Sequence, residues 1–154
     1  MNDARTSMRI YLAAPLFNDI ERSFNERLTS LLEPMAHVFL PQRDGKLMRD
    51  LVDGGMPLEA ARQLVFEADI NAIRRCNYIV AVLDGRTIDE GVAFEIGYGR
   101  ALNKVCLGLK TDDRTLLPSG DNPMIIAGCK KIFANTIELV AWLRRGFLSA
   151  RDAG

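Results

Sequence analysis

Short apolar runs alternate along this chain with longer stretches in which apolar residues recur at helical spacing. The runs predict five β-strands, at residues 8–14, 38–40, 78–83, 105–109 and 131–133. The longer stretches predict four main helices, at residues 18–33, 57–75, 89–102 and 137–148. Strands that alternate with helices are typical of a parallel sheet covered on both faces. The pattern therefore predicts a single α/β domain, a flavodoxin-like or Rossmann-like sheet of five parallel strands with helices on both faces.

The chain shows no internal domain boundary, because no repeat, low-complexity stretch or linker interrupts this alternation. The domain is predicted to cover residues 8–148, between a flexible polar tail at residues 1–7 and a short tail at residues 149–154. Segments 42–55 and 111–123 are polar and contain glycine, and each contains a proline or lies next to one. This composition predicts loops. Ligands of such sheets bind outside the carboxyl ends of the strands, so both loops are expected to border a binding site.

The net charge and the cysteine content disfavour several classes of partner and of structural site. Lys and Arg number 20, and Asp and Glu also number 20, so no net charge would attract nucleic acid or an anionic membrane. No apolar run approaches the roughly 20 residues that span a bilayer. Cys76, Cys106 and Cys129 are far apart and His37 is the only histidine, which disfavours a zinc site or a disulfide framework. We therefore expect a cytoplasmic protein with reduced thiols.

The turn after the first strand lacks the glycine-rich loops that bind nucleotide phosphates. Neither GxxxxGK[ST] nor GxGxxG occurs there, and residues 14–19 have the sequence APLFND. Asn18 followed by Glu21 is a capping-box arrangement that starts the first helix. Asp19 and Glu21 place negative charge in the first helical turn, where a phosphate would otherwise bind. The pattern disfavours a phosphorylated ligand at this strand end.

The predicted third helix is unusually rich in glycine. Gly91, Gly97 and Gly99 fall within it, and each costs roughly 1 kcal/mol relative to alanine. Glycine lets a ligand or another backbone approach closely, which offsets that cost. Glu95 lies one turn after Gly91 and one turn before Gly99, so its carboxylate has room for a substrate above it. The alternative is that Glu95 is an ordinary solvated acid on the helix surface.

Asp69 is a second unusual acid. It lies on or beside the apolar stripe of the predicted second helix, four residues after Val65 and four before Ile73. Burial there would raise the pKa of Asp69 and let it hold a proton near neutral pH, as a proton donor requires. The alternative is a structural role, as a cap of a neighbouring loop or as the partner of an arginine.

Two weaker signals accompany these acids. Tyr11 lies near the carboxyl end of the first strand, and Asn122 follows a turn. Taken singly, Tyr11 is typical of a core aromatic residue and Asn122 of a cap or turn residue. Both become informative in combination with Glu95 and Asp69.

In combination, these residues resemble the nucleoside 2-deoxyribosyltransferase family. The matching motifs are YLAAPLF from Tyr11 to Phe17, Asp69 in the second helix, DEGVAFEIG from Asp89 to Gly97, and NPM from Asn122 to Met124. Their order, spacing and predicted setting agree over residues 8–143, and the GxAFExG run is the most specific of them. The resemblance implies transfer of 2-deoxyribose between the nucleobases of 2′-deoxyribonucleosides, in nucleoside salvage, without a metal or an organic cofactor.

The resemblance also implies a role for each residue. Glu95 would be the nucleophile that attacks C1′ and forms a covalent deoxyribosyl-enzyme, Tyr11 would orient its carboxylate, and Asp69 would protonate the departing base. Asp89 would bind sugar hydroxyls, and Asn122 would reach them from a neighbouring subunit. The substrate-binding set is completed by Gln42 near the base and by three residues of the same motifs, Phe17, Gly91 and Met124. The family builds its sites across subunit contacts, so a homodimer or a larger homo-oligomer is expected.

Other functions fit the same residues. A nucleoside or 5′-monophosphate N-glycoside hydrolase of the same superfamily would share the covalent intermediate and use water as the acceptor. Members that act on monophosphates typically carry serine where Asn122 stands. A non-catalytic nucleoside-binding domain on the same sheet would have no need for Glu95 and Asp69 together, and a structural interaction domain would bind no small molecule. The sequence favours neither purine nor pyrimidine substrates.

Overall fold

The computed structural model describes residues 8–152 and has the predicted alternation of strands and helices. The elements follow in the order β1 (Arg9–Ala13), α1 (Asp19–Leu32), β2 (His37–Phe39), α2 (Pro41–Asp44), α3 (Met48–Asp53), α4 (Leu58–Arg75), β3 (Tyr78–Val82), α5 (Glu90–Ala101), β4 (Val105–Leu109), α6 (Pro123–Gly128), β5 (Lys131–Phe133) and α7 (Thr136–Asp152). The strands form one sheet in the order β2-β1-β3-β4-β5, and every neighbouring pair is parallel. The predicted fold class is confirmed.

The central position of β1 sets where a ligand can bind. Tyr11 of β1 lies opposite Phe39 of β2 on one side and Ile79 of β3 on the other. After β1, the chain runs to β2 on one side of β1 and then crosses to β3 on its other side. The connections that follow β1 and β3 therefore leave the sheet in opposite directions. In open parallel sheets, ligands bind in the crevice between such diverging loops, outside the carboxyl ends of the strands.

The sheet has a hydrophobic core on each face. Ile10 and Leu12 belong to the core that β1 shares with α1 and α7. Tyr11 belongs to the core on the opposite face, with α4 and α5, because successive side chains alternate along a strand. This alternation directs Tyr11 toward the two helices that carry Asp69 and Glu95.

The predicted caps of α1 and α5 are confirmed. Asn18 Oδ1 accepts the backbone N–H of Glu21 at 3.0 Å, and the Glu21 carboxylate accepts the N–H of Asn18 at 3.3 Å, which completes the capping box. Asp89 Oδ1 accepts the N–H of Val92 at 3.0 Å and starts α5. Side-chain caps of this kind stabilise a helix by about 1 kcal/mol. The Asp89 cap fixes the first turn of α5, the helix that carries Glu95.

Several boundaries differ from the prediction. The segment 42–55, predicted as a loop, contains α2 and α3, and α6 is a further helix that the apolar pattern does not predict. These helices span only 4 or 6 residues, too few for a helical repeat of apolar positions to show. α4 begins one residue later than predicted, and α7 continues past Leu148 to Asp152. Part of the predicted tail 149–154 is therefore helical, whereas residues 1–7 and 153–154 lie outside the described residues.

Candidate active site

A partly buried hydrogen bond joins β1 to α5. The Tyr11 hydroxyl donates to Glu95 Oε1 at 2.5 Å, while Oε2 has no hydrogen-bond partner among the described residues. Tyr11 has no exposed surface, and its ring stacks on Phe39 at a centroid distance of 5.6 Å. Burial, and next the charge of Glu95, raise the pKa of Tyr11 far above its usual range, so the hydroxyl stays a donor. Tyr11 thus orients one oxygen of Glu95 and leaves the other free.

α4 brings Asp69 to the same place. Its side chain is half-buried, and burial raises the pKa of Asp69 to about 6. This is the direction that the apolar stripe predicts. The charge of Asp69 acts on both Tyr11 and Glu95, and no hydrogen bond within residues 8–152 occupies its carboxyl group. We call Tyr11, Glu95 and Asp69 the carboxylate cluster.

The two acids of the carboxylate cluster differ in pKa. The pKa of Glu95 is raised to about 8, chiefly by burial; the Tyr11 hydrogen bond opposes this rise, and the charges of Asp69 and Asp89 add to it. The resemblance implies the reverse order, with the proton on Asp69. In the free chain, burial acts on both acids, but neighbouring negative charge adds to the pKa of Glu95. Between about pH 6 and about 8, the pair therefore holds one proton.

An open cleft of about 1040 Å³ lies outside the carboxyl ends of β1, β3 and β4. Its wall comes from the turn after β1, the first half of α1, the loop between β3 and α5, and the loop after β4, and it includes the predicted residues Phe17 and Asp89. Glu95 and Tyr11 lie on the α4 and α5 side of the sheet. Asp89 connects the two regions, because it lines the cleft and its charge acts on Glu95.

Other predicted substrate residues lie at the surface of the chain. Asn122 caps α6, where its Oδ1 accepts the N–H of Met124 at 2.9 Å. Met124 is 80% exposed, Phe17 is 73% exposed, and Gly91 is exposed in the first turn of α5. Within residues 8–152, no hydrogen bond links Asn122 to the carboxylate cluster. The contacts of these residues with a substrate stay predictions.

The sequence also matches a known family. The model of the nucleoside 2-deoxyribosyltransferase family matches residues 10–140, a range that includes every predicted site residue from Tyr11 to Met124. The chain belongs to the nucleoside 2-deoxyribosyltransferase family. It is therefore a nucleoside-processing enzyme of this family. Among curated protein sequences, none matches the chain.

Solved structures share the fold of this family member. A conserved protein from Enterococcus faecalis V583 has a TM-score of 0.76 at 23% identity, over 90% of this chain and 98% of that chain. A 2-deoxyribosyltransferase from Bacillus psychrosaccharolyticus has a TM-score of 0.71 at 21% identity, over 86% and 90%. A CMP N-glycosidase from Clostridium botulinum has a TM-score of 0.58 at 19% identity, over 88% and 98%. At these identities, the likeness establishes the fold.

This deoxyribosyltransferase-family chain holds Gln42 in a network that the sequence analysis missed. Asn25 of α1 is 2% exposed and donates to Gln42 Oε1 at 3.0 Å and to the Pro15 carbonyl at 2.9 Å. Gln42 Nε2 donates to the Arg22 carbonyl at 3.0 Å. The amide of Gln42 is thereby engaged at both ends, and it ties α2 to α1 and, through Asn25, to the turn that leads to Phe17. These contacts position Gln42, and its contact with the base stays a prediction.

The three glycines of α5 differ in what surrounds them. A Cβ at Gly99 would overlap the Ile79 side chain, so Gly99 allows the helix to pack closely on β3. A Cβ at Gly91 would lie 2.9 Å from Asp89 Oδ1, the atom that caps the helix. Gly97 has open space around it. The close approach at Gly99 is therefore between helix and sheet, and not between helix and ligand.

The described residues 8–152 contain no group of three or more His, Cys, Asp and Glu side chains arranged to hold a metal ion. No helix in this range is both long and apolar enough to cross a bilayer. Cys76, Cys106 and Cys129 are free thiols, buried in the core beneath α4 and α5. The ionisable groups that act on the pKa of Glu95 are Tyr11, Asp69 and Asp89.

Proposed function

We propose that this protein transfers 2-deoxyribose from one nucleobase to another through a covalent deoxyribosyl–Glu95 intermediate. The observation that carries the proposal is the Tyr11–Glu95 hydrogen bond, which orients one oxygen of a half-buried carboxylate and leaves the other free. Asp69 acts electrostatically on that carboxylate and has a raised pKa of its own. A nucleophilic carboxylate beside a proton-donating carboxyl is the division of labour in retaining glycosidases.

The first half of the reaction breaks the N-glycosidic bond. Glu95 Oε2 attacks C1′ of the nucleoside and forms a C–O ester bond, while the electron pair of the C1′–N bond moves to the base. Asp69 donates its proton to that nitrogen and becomes a carboxylate. The transition state resembles an oxocarbenium ion, so the negative charge of Glu95 stabilises it before the bond forms. The neutral base then leaves.

The second half reverses these steps with a new base. Asp69 removes a proton from the ring nitrogen of the incoming base, and that nitrogen attacks C1′. The ester bond breaks, its electron pair returns to Glu95, and the carboxylate is regenerated. Two inversions retain the configuration at C1′. Asp69 supplies and takes back the proton in this sequence, Glu95 supplies the negative charge, and Tyr11 orients Glu95.

The proton of the acid pair must lie on Asp69 when the bond breaks. In the free chain, the pair holds one proton at neutral pH and Glu95 has the higher pKa. Positive charge that develops at C1′ favours the ionised form of Glu95, because attraction is strong where water is excluded. Tyr11 stabilises the same form through its hydrogen bond. We infer that the bound nucleoside shifts the proton toward Asp69.

The charge of the cleft favours an uncharged nucleoside over a nucleotide. The acids in its wall are Glu21, Asp84, Asp89, Glu90 and Asp112. Arg27 and Arg114 also line the cleft, but Arg114 is engaged by Asp112, with Nε 2.8 Å from Oδ2. A phosphate would have to displace this pairing and lie near the remaining acids. We infer that the substrates are 2′-deoxyribonucleosides and free nucleobases, taken from the cytoplasm.

An exposed aromatic surface supports an oligomer. Phe66 of α4 is 49% exposed, Phe94 of α5 is 54% exposed, and their ring centroids are 6.1 Å apart. Met124 on α6 is 80% exposed, and α6 packs beside α5. Contiguous exposed apolar groups mark interaction surfaces. We infer that a second copy of the chain covers this surface and that Asn122 and Met124 complete the neighbouring site.

Hydrolysis is the second candidate, favoured by the structural likeness to a CMP N-glycosidase. In place of the acceptor base, a water molecule would give a proton to Asp69 and attack C1′. The ester bond would break, its electron pair would return to Glu95, and the free sugar would leave. Both outcomes share the first half-reaction, so they differ in the acceptor alone. An acceptor-dependent product therefore separates them.

Chromatography of base exchange tests the proposal. The purified protein is incubated with 2′-deoxyinosine, and in parallel with thymidine, each with and without adenine or cytosine. We expect a new deoxynucleoside that appears only when the acceptor base is present. Free base released equally with and without acceptor would favour the hydrolase. No reaction with either nucleoside would contradict both activities for these substrates and lead next to ribonucleosides and 5′-monophosphates.

A further inference from the structure

Two loops at the carboxyl ends of β3 and β4 hold each other through their carboxylates. Thr111 donates its backbone N–H and its hydroxyl to Asp84, at 2.5 and 2.7 Å. In return, the N–H of Gly85 donates to Asp112 at 3.0 Å. Each loop thus supplies the acceptor for the other, which fixes their relative position beside the cleft.

Lys110 adds a central contact to the same pair of loops. Its Nζ donates to the carbonyl oxygens of Leu83 and Gly85 at 3.2 and 3.0 Å, and it pairs with Asp121 at 3.4 Å. The side chains of Lys110 and Asp121 are only 12% and 10% exposed. An ammonium group has three donors, and here all three have a partner.

The two loops that Lys110 contacts each lead along the chain to a residue that is predicted to bind the sugar. Gly85 begins the short loop that ends at Asp89, the cap of α5. Asp121 directly precedes Asn122, the cap of α6. One nearly buried ammonium group therefore lies between the backbone that presents Asp89 and the backbone that presents Asn122.

The segment 111–122 has few other anchors. It contains no helix or strand, and a single internal bridge joins its backbone to itself. The side chains of residues 113–119 are all exposed. At its end, Asp121 accepts the N–H of Leu116 at 3.3 Å as well as pairing with Lys110. The Lys110–Asp121 pair is thus the tie between the end of this segment and the sheet.

We propose that Lys110 is a positioning residue that fixes Asp89 for its own site and Asn122 for the neighbouring site. The assignment rests on the proposed function, in which both residues bind the sugar. Loss of the ammonium group leaves two carbonyls and the nearly buried carboxylate of Asp121 without their partner. The loops then lose their fixed relation, which weakens sugar binding and leaves the chemistry at Glu95 intact.

The test compares KM with kcat in base exchange. Lys110→Met keeps an unbranched side chain and removes the charge. We expect the KM for the better of 2′-deoxyinosine and thymidine to rise about tenfold, with kcat within about threefold of the unsubstituted enzyme. Asp121→Asn keeps the side-chain shape and is expected to raise the same KM by a smaller factor. Lys131→Met, on the exposed start of β5, is the matched control and should leave KM unchanged.

A lysine that only stabilises the fold would give a different result. Its loss would lower the folded fraction, measured by circular dichroism, and hence kcat per total protein, without a change in KM. That pattern overturns the proposal, as does an unchanged KM in both Lys110→Met and Asp121→Asn. If Lys110→Met does not fold, the KM of Asp121→Asn decides. An inactive unsubstituted enzyme overturns the proposed function and this assignment with it, and it differs plainly from an active enzyme with unchanged KM.

Discussion

The carboxylate cluster and the start of α6 are organised in opposite ways. Tyr11 and Glu95 are joined by a partly buried hydrogen bond, and Asp69 acts on both from a neighbouring helix. Asn122 and Met124 are exposed, and the side-chain hydrogen bond of Asn122 stays within its own helix start. The groups proposed for chemistry are therefore complete within one chain. The groups proposed for sugar and base binding are not, so assembly is expected to change binding more than chemistry.

The largest effect is expected from the carboxylate cluster itself. Glu95→Ala should lower kcat for base exchange by at least about 10³-fold, because it removes the nucleophile. The protein should stay folded, because a carboxylate with a raised pKa does not stabilise the native state at neutral pH. Initial rates and thermal melting measure the two effects. Glu67→Ala, an exposed acid on α4, is the control, and unchanged turnover in Glu95→Ala would falsify the nucleophile assignment.

Asp69→Asn tests the second acid of the carboxylate cluster. We expect a loss of about 10²-fold in kcat/KM, because the asparagine cannot donate a proton to the leaving base. The loss should be largest for bases that are poor leaving groups, since they depend most on protonation. Rates with a series of deoxynucleosides measure this dependence, with Glu67→Gln as the control on the same helix. Equal losses for all bases would instead indicate a structural role for Asp69.

The pH dependence of kcat/KM tests the shared proton. Below about pH 6 both acids are protonated and Glu95 cannot attack, whereas above about pH 8 neither acid can protonate the base. We expect a bell-shaped profile with limbs near these values and a slope of about tenfold per pH unit outside them. Asp69→Asn should lose the alkaline limb. A profile that is flat from pH 5 to 9 would count against the pair.

Substitution of Asn122 tests the role of the exposed start of α6. We expect Asn122→Ala to raise the KM for the nucleoside about tenfold, with little change in kcat, because it removes a sugar contact. Mixing Asn122→Ala with Glu95→Ala chains should restore part of the activity, since one hybrid site would then carry both native residues. Fluorescence-labelled chains establish that subunits exchange. Exchange without any rescue would mean that the sites are not shared.

Much of the fold follows from local sequence. Apolar runs locate all five strands, and the capping box at Asn18 and the cap at Asp89 locate two helix starts. The helices α2, α3 and α6 escape detection because they are too short to show an apolar repeat. α6 nevertheless has a recognisable start, with a capping Asn122 followed by proline.

The site depends on contacts that local sequence does not reveal. Tyr11 and Glu95 are 84 residues apart, and their pairing was expected from the family resemblance and not from either residue alone. Shorter separations, of 27 residues between Lys110 and Leu83 and of 17 between Asn25 and Gln42, also join residues whose contact no local pattern predicts. Asn25 offers a signal in retrospect, because it is a polar residue on the buried face of an amphipathic helix and such groups need a partner.

The most direct test of the central claim is mass spectrometry of the enzyme quenched during reaction with a deoxynucleoside in the absence of acceptor base. The account predicts that the chain gains the mass of one deoxyribosyl group, that peptide mapping places it on Glu95, and that added base removes it. Base exchange without any adduct, or an adduct on another residue, would contradict the account.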